Sequence, residues 1–236
     1  MWKVLPLSFF NRSTLTVAKE LLGKFLVRRT ENGELAGMIT EVEAYIGTED
    51  KASHASRGRT PRAEVMFGHP GVWYVYMIYG MYYCLNIVTE KEQYPAAILI
   101  RSIVLHHDVY MRSHTNVRIF FGQDAIHVPT FSPSPIPRGK DLKTFFAPTP
   151  KFLVWGFIPA VLPQGIREGG GIKGPGRVCR YFRIGKCFNK KTANKKTGLW
   201  IEDRGIKMND RLIKKGERIG VEYAGKWKEK MWRFYL

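Results

Sequence analysis

The chain has 236 residues and a formal net charge of +18, from 38 Lys and Arg residues against 20 Asp and Glu residues. Its hydrophobic fraction of 44% and aromatic fraction of 13% are typical of a folded protein and exclude intrinsic disorder. This length supports one substantial hydrophobic core, so we expect a single domain over residues 1–236, with two small domains as the alternative.

The apolar segments and the cysteines exclude several further classes of protein. Charged residues or prolines interrupt every apolar run before it reaches membrane-spanning length. The N-terminal apolar stretch is too short for a signal peptide and lacks a cleavage site, so we expect a cytoplasmic protein, associated with the nucleoid if bacterial. Cys84, Cys179 and Cys187 lack CxxC spacing, which predicts neither a disulfide framework nor a zinc site.

The positive charge is concentrated near the C-terminus. Lys173–Leu236 contains 19 basic and 6 acidic residues and so carries +13 of the +18. Such a field favours a polyanionic partner, with nucleic acid first and an anionic membrane second. Aromatic residues alternate with the basic ones, which argues against the remaining alternative, a soluble protein that is merely basic.

The first predicted elements are a helix and a strand. Ser13 has the residue type of an N-cap, and apolar residues follow at helical spacing as far as Gly23, which suits a helix end. Lys24–Arg29 has the pattern of a strand. Asn32-Gly33 then predicts the turn into a second strand.

The second strand, Met38–Tyr45, places two carboxylates on one face. Because side chains alternate along a strand, one face is expected to carry Ile39, Glu41, Glu43 and Tyr45, and the other Thr40, Val42 and Ala44. Neighbouring carboxylates can raise one pKa, and hydrolysis of a glycosidic bond needs a carboxylate that activates water. Glu43 is therefore our candidate general base. The alternative is an exposed strand face with ion pairs.

Two residues close to Glu43 in the sequence support this hypothesis. Tyr45 shares its face and can stack on a base. His54 lies in the glycine-containing loop over residues 46–70, where it can donate or accept a hydrogen bond. A lone loop histidine is usually solvated, so His54 carries little weight by itself.

The segment Gly71–Thr89 predicts a β-hairpin of aromatic and β-branched residues. Its turn, Tyr79-Gly80-Met81, has large apolar side chains where hairpin turns normally carry small polar ones. A bulky wedge on a stiff ribbon is suited to displacing a base from a DNA stack through the minor groove. The alternative is an ordinary core hairpin with a buried tip.

One side of this hairpin has the composition of a purine pocket. If Tyr79-Gly80-Met81 forms the turn, then Tyr76, Cys84 and Asn86 lie on the same side of the ribbon. An aromatic ring, a small residue and an amide together supply a stacking platform and a reader of the base edge. An amide within so apolar a strand is otherwise costly to bury without a partner.

The remaining segments complete an α+β pattern. Ala96–Arg101 predicts a strand, and the proline-rich residues 104–171 predict an extended insertion or lid. Pro175 suits the first position of a helix, and short strands are expected near Leu199–Ile201 and Arg218–Tyr223. Consecutive strands with few crossover helices indicate a curved, mostly antiparallel sheet with flanking helices and a protruding aromatic hairpin.

Motifs in both halves of the chain occur in a consistent order and spacing. In the N-terminal half they are Thr40–His54, Thr60-Pro-Arg62, Met66-Phe67, Pro70-Gly71 and the aromatic run ending in Cys84-Leu-Asn86. In the C-terminal half they are Gly174-Pro-Gly-Arg177, Leu199–Asp203, Arg218–Gly225 and Trp232–Tyr235. Together they resemble the alkyladenine (3-methyladenine) DNA glycosylase family.

The resemblance implies a monofunctional enzyme of base-excision repair that hydrolyses the N-glycosidic bond of an alkylated or deaminated purine, such as 3-methyladenine, hypoxanthine or ethenoadenine. By position, Glu43 would be the general base on water. Arg101, with the Ile219 main chain, would help to hold that water. Water as the nucleophile requires no Schiff-base lysine, so no strand cleavage is expected, and no metal or cofactor is implied.

The same resemblance implies how damaged DNA would bind. The flipped base would be sandwiched by three aromatic side chains, Tyr45, His54 and Tyr76. Asn86 would disfavour the 2-amino group of normal guanine, and Cys84 belongs to the pocket by its position on the hairpin. Tyr79 would fill the hole left in the duplex.

Further contacts with double-stranded DNA are implied outside that pocket. They involve Met81, Lys173, Arg177 and Ile219. The basic C-terminal stretch would contact phosphates and make binding fall with salt. We expect a monomer with no membrane partner.

Two other readings explain part of the sequence. A basic nucleic-acid-binding module that has lost catalysis would account for the charge, although it would have no reason to keep six site residues intact. A glycan hydrolase using Glu41 and Glu43 would account for the carboxylates, but for neither the charge of +18 nor the Tyr79 tip.

Overall fold

The computed structural model describes residues 2–105 and 171–236. The predicted insertion or lid at 104–171 therefore lies almost wholly outside the described residues. The helices are α1 (Leu7–Phe10), α2 (Thr14–Leu21) and α3 (Pro175–Tyr181). The strands are β1 (Lys3–Val4), β2 (Phe25–Thr30), β3 (Gly33–Ile46), β4 (Trp73–Ile78), β5 (Tyr82–Val88), β6 (Ala96–Leu105), β7 (Ile172–Lys173), β8 (Leu199–Asp203), β9 (Lys214–Gly216) and β10 (Arg233–Tyr235).

The strands form one sheet whose described pairs are all antiparallel, in the order β1-β8-β2-β3-β6-β5-β4. The long strands β3 and β6 pair along their length at its centre. Beyond them, β10 pairs with β3 and β9, and β7 pairs with β6. This arrangement, with few helices, confirms the predicted α+β class.

The two faces of the sheet are buried in different ways. One face packs against α2 and α3 through a large apolar cluster that includes Trp73, Phe182 and Leu26. The other face is covered by the 46–70 loop, which contains the short 3-10 helices His54–Arg57 and Glu64–Phe67. The helical face therefore supplies most of the core, and the loop face is free to form a pocket.

Within the described part of the chain, no helix combines the length and the apolar character needed to cross a bilayer.

Two register shifts interrupt the pairing of β3 with β6. They fall between the pairs Ile39–Ile103, Glu41–Ser102 and Val42–Ile100, so Thr40 and Arg101 are each an extra residue in their strand. The prediction that Ile39 shares a face with the glutamates is wrong, because the first shift turns Ile39 into the same core cluster as Val42 and Ala44. The two bulges thus change the direction in which neighbouring side chains of β3 and β6 point, at the position of Glu41 and Glu43.

The predicted strand at Arg218–Tyr223 is also wrong. The chain instead forms β9 earlier and a 3-10 helix over Glu222–Glu229 later. Between them, the Arg218 side chain is drawn into the interior by Asp50, and Gly220 adopts a φ of +76°. The Ile219 amide donates to a side chain, so this segment cannot extend a ladder.

The other predicted elements are present. The helix after Ser13, the following strand and the strand near Leu199–Ile201 lie where the sequence places them, and Pro175 begins α3. The aromatic segment forms the antiparallel pair β4–β5, with Tyr76 opposite Cys84.

The turn between β4 and β5 holds a tyrosine in a conformation that is unusual for its residue type. Tyr79 and Gly80 have φ values of +51° and +67°, and the Met81 amide donates to the Ile78 carbonyl at 3.2 Å. Positive φ at both central residues defines a type I′ turn, which strongly prefers Asn-Gly. Tyr79 is nevertheless 85% exposed, so burial of its ring does not offset the cost of this backbone conformation. The alternative of a buried tip is therefore wrong.

Replacing Tyr79 by Asn is expected to stabilise the protein by about 0.5–1 kcal/mol, because Asn tolerates the left-handed region far better than a bulky residue. Little burial is lost, since the ring is exposed. Urea unfolding measures the change in the free energy of unfolding. As a control, Met81→Asn, at a neighbouring position without positive φ, should bring no gain; equal stabilisation by both variants would contradict the strain.

Candidate active site

A pocket of about 200 Å³ opens on the loop face of the sheet. It lies among β3, β6, the β4–β5 hairpin, the 46–70 loop and the segment after β9. Eight residues singled out from the sequence contribute to its wall: Tyr45, His54, Tyr76, Tyr79, Cys84, Asn86, Arg101 and Ile219. Segments far apart in the chain thus converge on one cavity.

Glu43 lies behind this pocket with a fully buried side chain. Its Oε1 accepts a hydrogen bond from the Ile219 amide at 2.8 Å. Its Oε2 accepts from the Tyr45 hydroxyl at 2.9 Å and from Arg101 Nη1 at 3.2 Å. All three donors also line the pocket, so the carboxylate is reached through the groups that hold it.

The environment of Glu43 raises the pKa of its carboxyl above the ordinary value. Burial is the main cause, and the nearby charge of Glu41 acts in the same direction. Arg101, the Ile219 amide and the Tyr45 hydroxyl lower it and so oppose the shift. The carboxylate is therefore a stronger base than an exposed glutamate while it keeps its hydrogen bonds.

Glu41 forms the other half of the carboxylate pair. It lies 3.3 Å from Arg101 Nε and 3.2 Å from Arg233 Nη1, and it accepts a 2.5 Å hydrogen bond from Ser102 Oγ. Arg101 therefore touches both carboxylates from its bulge in β6. The expected proximity of Glu41 to Glu43 holds, with a guanidinium between them.

Three aromatic side chains form one wall of the pocket. His54 Nδ1 lies 2.7 Å from the Tyr74 hydroxyl, and its ring meets Tyr76 edge-on, with centroids 4.6 Å apart. Burial, together with the charges of Arg62 and Arg57, lowers the pKa of His54 to about 4. The imidazole is consequently neutral at neutral pH.

The floor of the pocket is formed by β5. Asn86 donates from Nδ2 to the carbonyls of Tyr74 and Cys84, at 3.1 and 3.4 Å. Only an NH₂ group can donate to both, so these contacts fix the orientation of the amide. Burial raises the pKa of the Cys84 thiol to about 11, which leaves it protonated and unreactive at neutral pH.

Exposed side chains surround the pocket mouth. Tyr79 and Met81 project from the hairpin tip, and Ile219 and Tyr223 are exposed on the segment after β9. Lys173 and Arg177 are exposed beside Pro175, which lines the pocket. Of the predicted DNA contacts, Met81, Lys173 and Arg177 therefore lie outside the cavity itself.

Comparison with known proteins matches this chain to one family. The model of the family described as "Methylpurine-DNA glycosylase (MPG)" matches residues 8–123 and 165–236. The chain belongs to the methylpurine-DNA glycosylase family. It is 38% identical over 232 residues to a protein of Methanocella arvoryzae, covering 98% of this chain and 92% of the relative. It is 37% identical over 232 residues to one of Rickettsia prowazekii, covering 98% and 94%. Both carry the name "Putative 3-methyladenine DNA glycosylase".

Sequence reasoning missed two parts of this candidate site. Tyr74 was detectable, because it lies two residues before Tyr76 on the same side of β4. The Asp50–Arg218 ion pair was not, because 168 positions separate its members.

The Asp50–Arg218 pair is fully buried and holds the segment before Ile219. Arg218 contacts both carboxylate oxygens of Asp50, at 2.5 and 2.8 Å, and donates to the carbonyls of Ala44 and Trp227. Its guanidinium also lies 4.8 Å from the centre of the Tyr45 ring. The pair therefore positions two of the three donors to Glu43.

Asp50→Asn is expected to lower the free energy of unfolding by about 3–5 kcal/mol, because it leaves the Arg218 charge buried without its counter-charge. Urea unfolding followed by tryptophan fluorescence measures this loss. The control is Asp210→Asn at an exposed position, where a change within about 0.5 kcal/mol is expected. Similar losses in the two variants would show that the buried ion pair contributes no more to the free energy of unfolding than an exposed carboxylate does.

Proposed function

We propose that this chain is a monofunctional DNA glycosylase. It flips an alkylated or deaminated purine out of double-stranded DNA and hydrolyses the N-glycosidic bond, leaving an abasic site for base-excision repair. The observation that carries the proposal is the buried Glu43 carboxylate at the back of an aromatic pocket, beside an exposed tyrosine tip. Membership of the methylpurine-DNA glycosylase family supports it.

Glu43 acts as the general base in this proposal. A water molecule on the pocket side of the carboxylate loses a proton to Glu43, and its oxygen forms a bond to C1′ as the bond from C1′ to the base breaks. A purine alkylated at N3 or N7 is cationic, so it takes the bonding electrons and leaves as a neutral molecule. A deaminated or etheno-modified purine is uncharged, so it leaves with those electrons as an anion and takes up a proton from solvent. Arg101 and the Ile219 main chain, which both donate to Glu43, help to hold the attacking water beside the carboxylate.

Aromatic residues of the pocket recognise the flipped base. Tyr45, His54 and Tyr76 provide ring surfaces for a purine, with Cys84 and Asn86 behind it. Because His54 is neutral at neutral pH, it does not repel a cationic base. Asn86 disfavours the 2-amino group of normal guanine by steric conflict.

Contacts at the pocket mouth hold the duplex. Tyr79 enters the stack and replaces the flipped nucleotide, and Met81 and Ile219 contact the neighbouring bases. Lys173 and Arg177, exposed beside the pocket, contact phosphates. The protein acts as a monomer, and its binding weakens as salt rises.

The deciding experiment measures base release from a duplex oligonucleotide that carries one hypoxanthine or one ethenoadenine, with hot alkali added afterwards. Strand breaks that appear only after alkali are the expected result. Methylated genomic DNA extends the assay to alkylated purines. Lesion binding without release from any of these substrates would instead favour the non-catalytic binding module.

Glu43→Gln is expected to reduce base release at least a hundredfold and to leave the affinity for lesion DNA within a few-fold. In the wild type, release should fall as the pH drops through the pKa of Glu43, which lies above the ordinary value for a glutamate. The matched control is Glu31→Gln, at the exposed turn between β2 and β3, with unchanged release. Retained turnover in Glu43→Gln would remove Glu43 as the base.

A further inference from the structure

The segment Arg183–Lys196, called here the basic loop, carries six positive charges and no negative one. The cations are Arg183, Lys186, Lys190, Lys191, Lys195 and Lys196. All six side chains are exposed. Across residues 2–105 and 171–236, none of the six forms an ion pair with a carboxylate.

The backbone of the basic loop is fixed to the edge of β4. The Lys190 amide donates to the Trp73 carbonyl at 2.9 Å, and the Trp73 amide donates to the Lys191 carbonyl at 2.8 Å. Asn189 Oδ1 accepts from the Val75 amide at 2.9 Å. The chain therefore holds these charges together on an ordered surface, although like charges repel.

We propose that the basic loop binds the phosphate backbone of duplex DNA at a distance from the lesion. This proposal extends the proposed glycosylase function. Trp73 is the first residue of β4 and Tyr79 follows its last residue, Ile78, so the part of the loop that hydrogen-bonds to Trp73 lies about 20 Å from the tip, or about six nucleotides along a DNA strand. Cations that lack a carboxylate partner and stand on a fixed backbone are available to phosphates, and contacts to phosphate carry no sequence or lesion preference.

The test replaces Lys190, Lys191, Lys195 and Lys196 by alanine together and measures DNA binding across a salt series. Affinity for undamaged and lesion duplexes should fall by the same factor, and the salt slope should fall by up to about 3–4, as expected for four lost phosphate contacts. Single-turnover base release at saturating enzyme should not change. Lys3→Ala with Lys207→Ala, at exposed positions away from this loop, is the control for charge alone.

An unchanged salt slope in the loop variant, or a loss per lysine no greater than in the control, would overturn the proposal. Undamaged duplex tests the loop without any need for catalysis. If the wild type releases no base, the proposed function fails while the binding comparison still decides the role of the loop.

A second inference concerns Glu41, which connects the groups that hold Glu43. Its carboxylate contacts Arg101, which contacts Glu43 directly. It also contacts Arg233, whose Nε donates to the Glu217 carbonyl at 2.7 Å, two residues before the Ile219 amide. One carboxylate is therefore linked to two of the donors that fix the proposed base.

We infer that Glu41 and Arg233 are positioning residues for the proposed reaction: they act through Arg101 and the 217–219 segment and do not touch the substrate. This inference rests on the proposed function. Charged and titratable groups surround Glu43 on the elements packed against it: Glu41 and Tyr45 on β3, Arg101 on β6, Tyr76 and Cys84 on the hairpin, and Arg233 on β10, which is opposite Glu43 in the strand pairing. Of these, Glu41 is the other carboxylate.

Glu41→Gln is expected to lower the maximal rate of base release about tenfold to a hundredfold, with lesion affinity within twofold. It should also move the acid limb of the pH–rate profile to lower pH, because a nearby negative charge is lost and Arg101 is left to Glu43 alone. Arg233→Met should move the limb to higher pH, since Glu41 then keeps a charge that is less opposed. Arg233→Lys should restore the wild-type limb.

A purely structural role would lower the amount of folded enzyme but would leave the acid limb of the pH–rate profile unmoved in both Glu41→Gln and Arg233→Met. That result would overturn the inference. Thermal unfolding shows which variants are folded, and the Arg233 pair decides the question if Glu41→Gln is not. Base release by the wild type is the reference: its absence would refute the proposed function, whereas normal release with unmoved limbs would refute the positioning role alone.

Discussion

The burial of one carboxylate constrains the rest of this structure. A charge removed from water is tolerated only when several donors replace the lost solvent. For Glu43 those donors come from three separate elements: its own strand, the neighbouring strand and the segment after β9. Each of those elements is in turn held by further contacts. The sheet, the Asp50–Arg218 pair and the Glu41 network therefore all contribute to placing a single side chain.

Two local irregularities, the bulges in β3 and β6 and the turn at Tyr79, place side chains where a regular sheet could not. In an unbroken ladder, Arg101 and Ser102 would point to opposite faces. The bulges bring both side chains to Glu41, and Arg101 also reaches Glu43. At the hairpin tip, a tyrosine occupies a backbone conformation that prefers asparagine or glycine. Strain of this kind persists where the surroundings impose it, and here it holds an exposed ring at the pocket mouth.

The electrostatics of the pocket follow from the same geometry. Burial raises the pKa of Glu43 and lowers that of His54, so the acid becomes a stronger base while the imidazole loses its charge. Exposed cations lie outside, on the basic loop and beside α3. The unpaired positive charge thus lies outside the pocket, whereas Arg101 and Arg218 beside Glu43 and Tyr45 are paired with carboxylates.

The sequence by itself determined the features that depend on local pattern. The strand carrying Glu43, the aromatic hairpin with Tyr76 opposite Cys84, and the proline that begins α3 follow from alternation and turn chemistry, which act within a few residues. Predictions from local pattern were wrong for the strand face of Ile39 and for a strand at Arg218–Tyr223, because contacts with distant residues override local preference there. The register shifts and the pairing of Asp50 with Arg218 were decided only by the tertiary structure. Each depends on residues that folding brings together from far apart in the chain, and periodicity within one segment carries no record of them.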